Sequence, residues 1–214
     1  GECPVASPFN DGVWYDPTDR LFKMWYHAGW MRGTGYAVSE DGIRWHRPQL
    51  DIVRGTNLVL APRAGYRRDG CCVWLDHEAA DPGQRFKMFQ YFRSSGEVGE
   101  PWNGGEVYTS PDGIHWGGPT RTSLLGDNTG FFYNPFREKW VYSVRRSVNG
   151  VRTRWYREHS DFLQGSQWDD DEPVMWAWSD ELDVPDPRID EVPQLYGLNA
   201  VAYESIMLGL IAIF

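Results

Sequence analysis

The sequence predicts an all-β fold assembled from repeated antiparallel sheets, and three observations lead there. Aromatic residues make up 15% of the 214 positions, including 12 Trp, and such rings favour the half-buried face of a pleated strand. The 23 Gly and 14 Pro are spread along the chain, as turn residues between short strands would be. Segments with helical periodicity are scarce; Trp178 to Leu182 could supply one turn. Hydrophobic residues at 41% and charged residues at 24% are ordinary globular values and exclude a disordered chain.

The strands come in repeats. Asp16-Pro17-Thr18-Asp19-Arg20-Leu21-Phe22-Lys23-Met24-Trp25-Tyr26 shares its grammar with Asp81-Pro82-Gly83-Gln84-Arg85-Phe86-Lys87-Met88-Phe89-Gln90-Tyr91 and with Asn134-Pro135-Phe136-Arg137-Glu138-Lys139-Trp140-Val141-Tyr142. Each follows a short apolar run: Val13-Trp14-Tyr15, Val73-Trp74-Leu75 and Phe131-Phe132-Tyr133. Each therefore reads as a hairpin, because Asp or Asn before Pro opens a turn while Pro presets φ. A second device follows: Ser39-Glu40-Asp41-Gly42-Ile43-Arg44-Trp45, then Ser110-Pro111-Asp112-Gly113-Ile114-His115-Trp116, with a degraded copy from Ser160 to Trp168. Asp-Gly supplies a positive φ for a tight turn, and the Trp covers the sheet below. Two hairpins, or four strands, in about 50 to 70 residues form the blade of a β-propeller. Blades are expected to begin near Pro8, Arg68, Asp127 and Asn199, within one propeller domain over 1–214. A propeller hides its sheet edges by closing. Three blades and part of a fourth leave edges open, so a truncated chain, or completion by a partner including self-association, is expected.

The net charge of −9, with no basic block, argues against nucleic acid or an anionic membrane as partner. The apolar run from Ile206 to Phe214, broken by Gly209, is too short to span a bilayer and reads as a buried strand. No signal peptide is present, and one removed from a longer precursor would leave no trace, so the compartment stays open. Adjacent Cys71 and Cys72 point to opposite faces of a strand, and with Cys3 they make no disulfide framework.

In a propeller the innermost strands line a central funnel. Their heads carry Asn10-Asp11-Gly12, Arg67-Arg68-Asp69-Gly70, Gly126-Asp127-Asn128 and Tyr203-Glu204-Ser205, so an acid recurs at each. Gathered like charges are costly, which points to a use. Glycoside hydrolysis fits, since it needs two carboxyl groups flanking one bond. Arg68 is a partner for Asp69 and for sugar hydroxyls. Trp30 and Trp102, in loops, are candidate platforms for a sugar ring. Asp127 and Arg146 are candidate sugar contacts; Arg145 and Arg146 alternate on a strand, so only one can face the funnel. Each acid also has a plainer reading: Asp11 and Asp127 as turn residues, Asp69 in a surface ion pair. The acidic run Asp169 to Glu172 reads as a solvated loop. The five His lack ligand spacing, so no zinc site is expected. Neither a phosphate-cradling glycine loop nor a serine nucleophile elbow occurs, and no cofactor is expected.

This pattern resembles the five-bladed β-propeller glycoside hydrolases, the clan of invertase-like and levansucrase-like fructosidases and arabinanase/xylosidase-like enzymes. Asn10-Asp11 resembles the first-blade motif whose Asp is the nucleophile, with Gly12-Val13-Trp14 where Pro-Asn-Gly is usual. Arg68-Asp69 resembles the second-blade motif whose Asp stabilises the transition state, with Gly70 replacing Pro. Tyr203-Glu204-Ser205 resembles the Glu-Cys acid/base motif, with Ser for Cys. Ser110 to Trp116 resembles the clan's Ser-x-Asp-x-x-His-Trp box. The resemblance implies a five-bladed-type propeller of which about three and a half blades are present. It also implies a glycosidase for a furanoside or related saccharide, with Asp11, Asp69 and Glu204 catalytic. The alternative is a non-catalytic carbohydrate-binding or scaffold propeller, or an inactive fragment.

Overall fold

A computed structural model describes residues 5–96, 102–189 and 191–213; Cys3 and Phe214 lie outside them. The chain divides into two compact units, Gly1–Thr120 and Arg121–Phe214. All sheets are antiparallel and follow chain order, as blades of a propeller do.

In the first unit, β1 (Ala6–Ser7), β2 (Val13–Asp16), β3 (Leu21–Ala28), β4 (Gly33–Ser39) and β5 (Leu58–Leu60) make one sheet. Strand β2 pairs the first half of β3 and β1 pairs its end, with Ala6 opposite Ala28. The second sheet is β6 (Tyr66–Leu75), β7 (Phe86–Ser94), β8 (Gly104–Ser110) and β9 (Thr120–Arg121). Between the two sheets lies a core of Trp25, Tyr36, Val59, Cys71, Val73, Leu75, Phe86, Met88 and Tyr108. Trp14 and Trp25, from the first sheet, donate their indole N–H to Val73 O and Gly113 O of the second, at 2.7 and 2.8 Å. Burying a ring this large demands such a partner for its one polar atom.

The repeated turns are built as their residues dictate. Ser39 Oγ accepts from Gly42 N at 2.9 Å while Asp41 Oδ1 accepts from Ile43 N and Arg44 N. Ser110 and Asp112 repeat the pattern with Gly113, Ile114 and His115. The lysine of each Phe-Lys-Met segment is buried and closes its hairpin: Lys23 on Asp16 at 2.7 Å, Lys87 on Asp76 at 2.8 Å. The second connection is longer than the repeat suggested. It runs from Leu75 to Phe86, and Asp81 caps a 3-10 turn at Pro82–Gln84.

In the second unit, β10 (Gly130–Asn134), β11 (Lys139–Val148), β12 (Val151–His159) and β13 (Val174–Ala177) form a sheet packed around Phe131, Trp140, Tyr142 and Phe162. The one α-helical turn among the described residues is α1 (Phe162–Gly165), capped by Asp161, rather than the segment Trp178 to Leu182. The side chain of Asp161 accepts from Gln164 N at 2.8 Å and so satisfies a free N–H of the first turn. A hairpin, β14 (Leu195–Tyr203) with β15 (Ile206–Ile213), ends the unit. Expected to be buried, β15 is largely exposed, with Leu210 at 83%. Its pairing among the described residues is to β14 alone, so neither of its faces is covered by a neighbouring sheet. No described helix is long and apolar enough to cross a membrane.

Two predictions follow from these contacts. A Cβ on Gly113, at φ +79°, would lie 2.6 Å from the Trp25 ring. Gly113→Ala is therefore expected to cost about 2 kcal/mol or more in urea unfolding. Burial alone would raise the Asp16 carboxyl, but its bonds to Arg85 and Lys23 outweigh this and hold it well below the usual range. A depressed folded-state value means stability present at neutral pH and lost as pH falls below about 4. Asp16→Asn should flatten that acid limb in pH-dependent melting; an unchanged limb would remove Asp16 as its source.

Candidate functional site

The segment before β2 threads along β6. Asp11 N donates to Pro8 O at 2.9 Å, and Val73 N donates to Asp11 O at 2.7 Å. Gly12, at φ +124°, lets the chain pass where a Cβ would stand 3.0 Å from Val73 O. This fixes the Asp11 carboxyl against Arg68, and the two form a fully buried ion pair.

Arg68 sits where β6 breaks register. Arg68 pairs Phe92 and Cys71 pairs Gln90, so Asp69 and Gly70 together oppose Tyr91. This is a β-bulge, and a bulge re-aims side chains. Arg68 Nη1 lies 3.4 Å from Asp69 O, and the Asp69 carboxylate is ion-paired with Arg93 of β7 at 2.5 Å. Asp11 thus meets the Arg68 side chain, and Asp69, next to Arg68 in the chain, meets Arg93.

Electrostatics sharpen it. Burial pushes the Asp11 carboxyl up to about 6, with the Arg68 charge opposing. Asp11 Oδ1 has no hydrogen-bond partner among the described residues. Burial, then the Arg68 charge, push His27 of β3 down to about 3, despite an opposing pull from the Asp69 backbone. His27 is neutral at physiological pH and carries Trp30 stacked on it, ring centroids 5.8 Å apart. Phe9 meets the same imidazole edge-on at 5.7 Å. Trp30 is 54% exposed, so an aromatic face is presented to solvent beside the cluster. Trp102 is half-buried, 6.2 Å from Tyr66 and 6.3 Å from Phe92, packed as part of the second sheet. His27 and Arg93 were not singled out from the sequence. The only signal for either is position: His27 on the strand after the first acid, Arg93 opposite Arg67 on β7.

The second unit holds the other candidates. Asp127 is buried at the head of β10, with its Oδ1 3.3 Å from Arg145 Nε. The alternation on β11 is resolved in favour of Arg145. Arg146 turns the other way, donating to Asp170 O at 2.8 Å and covering the Trp155 ring at 5.0 Å. Register explains it, since successive residues of a strand face opposite sides. Glu204 is not at the head of an inner strand. Tyr203 pairs Ile206, so Glu204 and Ser205 form a two-residue hairpin turn, with Glu204 exposed and at φ 50°. The expectation of an acid at the head of an inner strand therefore does not hold for Glu204. An open cleft of about 350 Å³ in this unit, lined by Leu182, Val184, Ile189, Pro193 and Ile213 among others, contains none of the candidate residues. No group of three or more metal-ligating side chains occurs among the described residues.

Removing Arg68 would strand a buried carboxylate. Arg68→Met is expected to cost about 3–5 kcal/mol at pH 7. The loss should shrink toward pH 5, where Asp11 is protonated, and in the double variant with Asp11→Asn. Equal losses at both pH values would show that the pair is not the source.

No family model and no curated protein matches the chain. Solved structures do. A thermostable family-43 glycoside hydrolase aligns with TM-score 0.62 and 12% identity, over 98% of this chain and 65% of that one. The β-fructofuranosidase of Schwanniomyces occidentalis, complexed with fructosyl-erythritol, aligns with TM-score 0.55 and 14% identity, over 82% and 34%. An N-acetylgalactosamine deacetylase from F. plautii, in complex with blood group B trisaccharide, aligns with TM-score 0.54 and 17% identity, over 90% and 58%. The chain thus spans from about a third to 65% of these proteins. The fold is a divergent form of the propeller seen in glycoside hydrolases, and likeness at this identity carries the fold alone.

Proposed function

We propose that this chain acts on carbohydrate as a glycoside hydrolase, with the Asp11–Arg68–Asp69 cluster at its centre. The observation that supports the reading is the bulge in β6, where Arg68 is ion-paired with Asp11 while the neighbouring Asp69 turns its carboxylate to Arg93. In this mechanism Asp11 attacks the anomeric carbon or activates water. Asp69, with Arg68, binds ring hydroxyls and stabilises the oxocarbenium-like state. Trp30 is the platform for the apolar face of the sugar. The leaving-group proton comes from a carboxyl outside this cluster, and the turn position of Glu204 gives no support for that role. The saccharide expected from the motifs is a furanoside or a relative of one.

A second reading is non-catalytic sugar binding. It is favoured by the burial of Asp11, which has no solvent-exposed surface, while Trp30 does. Here the acids brace Arg68 beneath an aromatic binding face.

Aryl furanosides and pyranosides separate the two. Hydrolysis per folded molecule, with the folded fraction read by circular dichroism, should fall by at least a hundredfold in Asp11→Asn and Asp69→Asn. A base or nucleophile that titrates near 6 works only when ionised, so the rate should fall as pH drops through about 6. Glu204→Gln should leave the rate unchanged. Sugar binding that survives in wild type without turnover of any substrate would replace the hydrolase by the binding module.

A further inference from the structure

The second unit contains a cluster of arginine side chains, with a buried amide beside it, that this mechanism leaves unused. The loop from Gly126 to Thr129 is clamped to β11. Gly126 N donates to Arg145 O at 2.8 Å, Thr129 Oγ1 donates to Gly126 O at 2.9 Å, and Arg145 N donates to Thr129 Oγ1 at 2.9 Å. The Arg145 side chain lies directly across Gly126, where a Cβ would sit 2.4 Å from its Cδ. Only glycine permits that path. Opposite Arg145 in register is Arg154, fully buried and donating to Asn128 O at 2.7 Å and to Tyr196 O.

Arg154 feels the charges of Arg145 and Arg152 against it and that of Asp127 in its favour. Burial first, then the Arg145 charge, pull the Arg154 guanidinium down to about 10, so the cations repel one another. Arg154 is committed to backbone carbonyls, whereas the Arg145 side chain is 24% exposed. The Asn128 side chain is buried, with 5% of the residue exposed, and neither its oxygen nor its nitrogen has a hydrogen-bond partner among the described residues. Leaving a buried amide unpaired is unfavourable, so the arrangement favours a ligand that supplies polar atoms and negative charge.

We propose that Asn128, on the clamped loop beside Asp127, and Arg145, on β11, bind the anionic group of an acidic saccharide, such as the carboxylate of a uronic acid. Arg145 engages the anion and Asn128 a neighbouring ring hydroxyl. Asp127 excludes a second anion and accepts from a further hydroxyl. This deepens the carbohydrate reading and rests on it for the sugar.

The test is calorimetric titration of the whole chain with methyl β-D-glucuronide and with neutral methyl β-D-glucopyranoside. The glucuronide should bind at least tenfold more tightly. That preference should vanish in Arg145→Met, return in part in Arg145→Lys, and weaken in Asn128→Ala. Should the variants not fold, the wild-type chain decides: glucuronide affinity should fall between 50 and 500 mM NaCl, as charge screening requires, while glucoside affinity should not. Equal affinities for the two sugars would overturn the proposal, as would a preference that persists in Arg145→Met. Sodium sulfate that binds where the glucuronide does not would reduce the pocket to a bare anion site and overturn the sugar assignment. Glucuronide binding without hydrolysis of any aryl glycoside would leave this pocket standing and remove the hydrolase. Hydrolysis of neutral glycosides with no preference for the acid would do the reverse.

Discussion

The first unit depends on one buried ion pair. Arg68 and Asp11 are both withdrawn from water, and neither would tolerate that alone. Their attraction ties the segment before β2 to the bulge in β6. It thereby fixes the direction of Asp69, the environment of His27 and the seat of Trp30. A hydrophobic pair of the same volume could join these segments. It could not leave a carboxyl poised near 6 beside a guanidinium under an aromatic face, so the pair points to function more than to stability.

Around that pair the sheets are braced by a smaller repeated lock. A buried lysine at the head of each second strand reaches back to the acid that ends the first, Lys23 to Asp16 and Lys87 to Asp76. Arg85 of the second sheet adds a bond to Asp16 of the first, so one carboxylate serves both a hairpin and the junction between sheets. The third copy replaces this acid with Asn134, whose side chain accepts from Phe136 N in the turn. The repeated unit has diverged at its lock while keeping its turn.

The two units treat charge differently. In the first, the buried charges are matched, with Asp11 on Arg68 and Asp69 on Arg93. In the second, arginines outnumber the carboxylate they share, and a buried amide lies beside them. Matched pairs tolerate a neutral, hydroxyl-rich ligand. An unmatched cationic pocket favours an anion in a chain whose net charge is −9. Structural neighbours that include both glycoside hydrolases and a deacetylase show how little the propeller by itself constrains the chemistry.

The sequence alone determined what local rules control. The hairpins and the Ser-x-Asp-Gly turns were legible because turn residues and period-two patterns act over a few residues. It did not reveal the bulge at Asp69, because a bulge is a relation between two strands and Tyr91 lies 22 positions away. It misplaced Glu204, because an apolar run reads the same whether a turn divides it or not, and pairing alone put the turn there. It named Arg146 rather than Arg145, since alternation fixes that neighbours differ and not which one lies beside Asp127. Those decisions belong to the tertiary structure. Burial, register and charge pairing arise only when segments distant in the chain exclude water together.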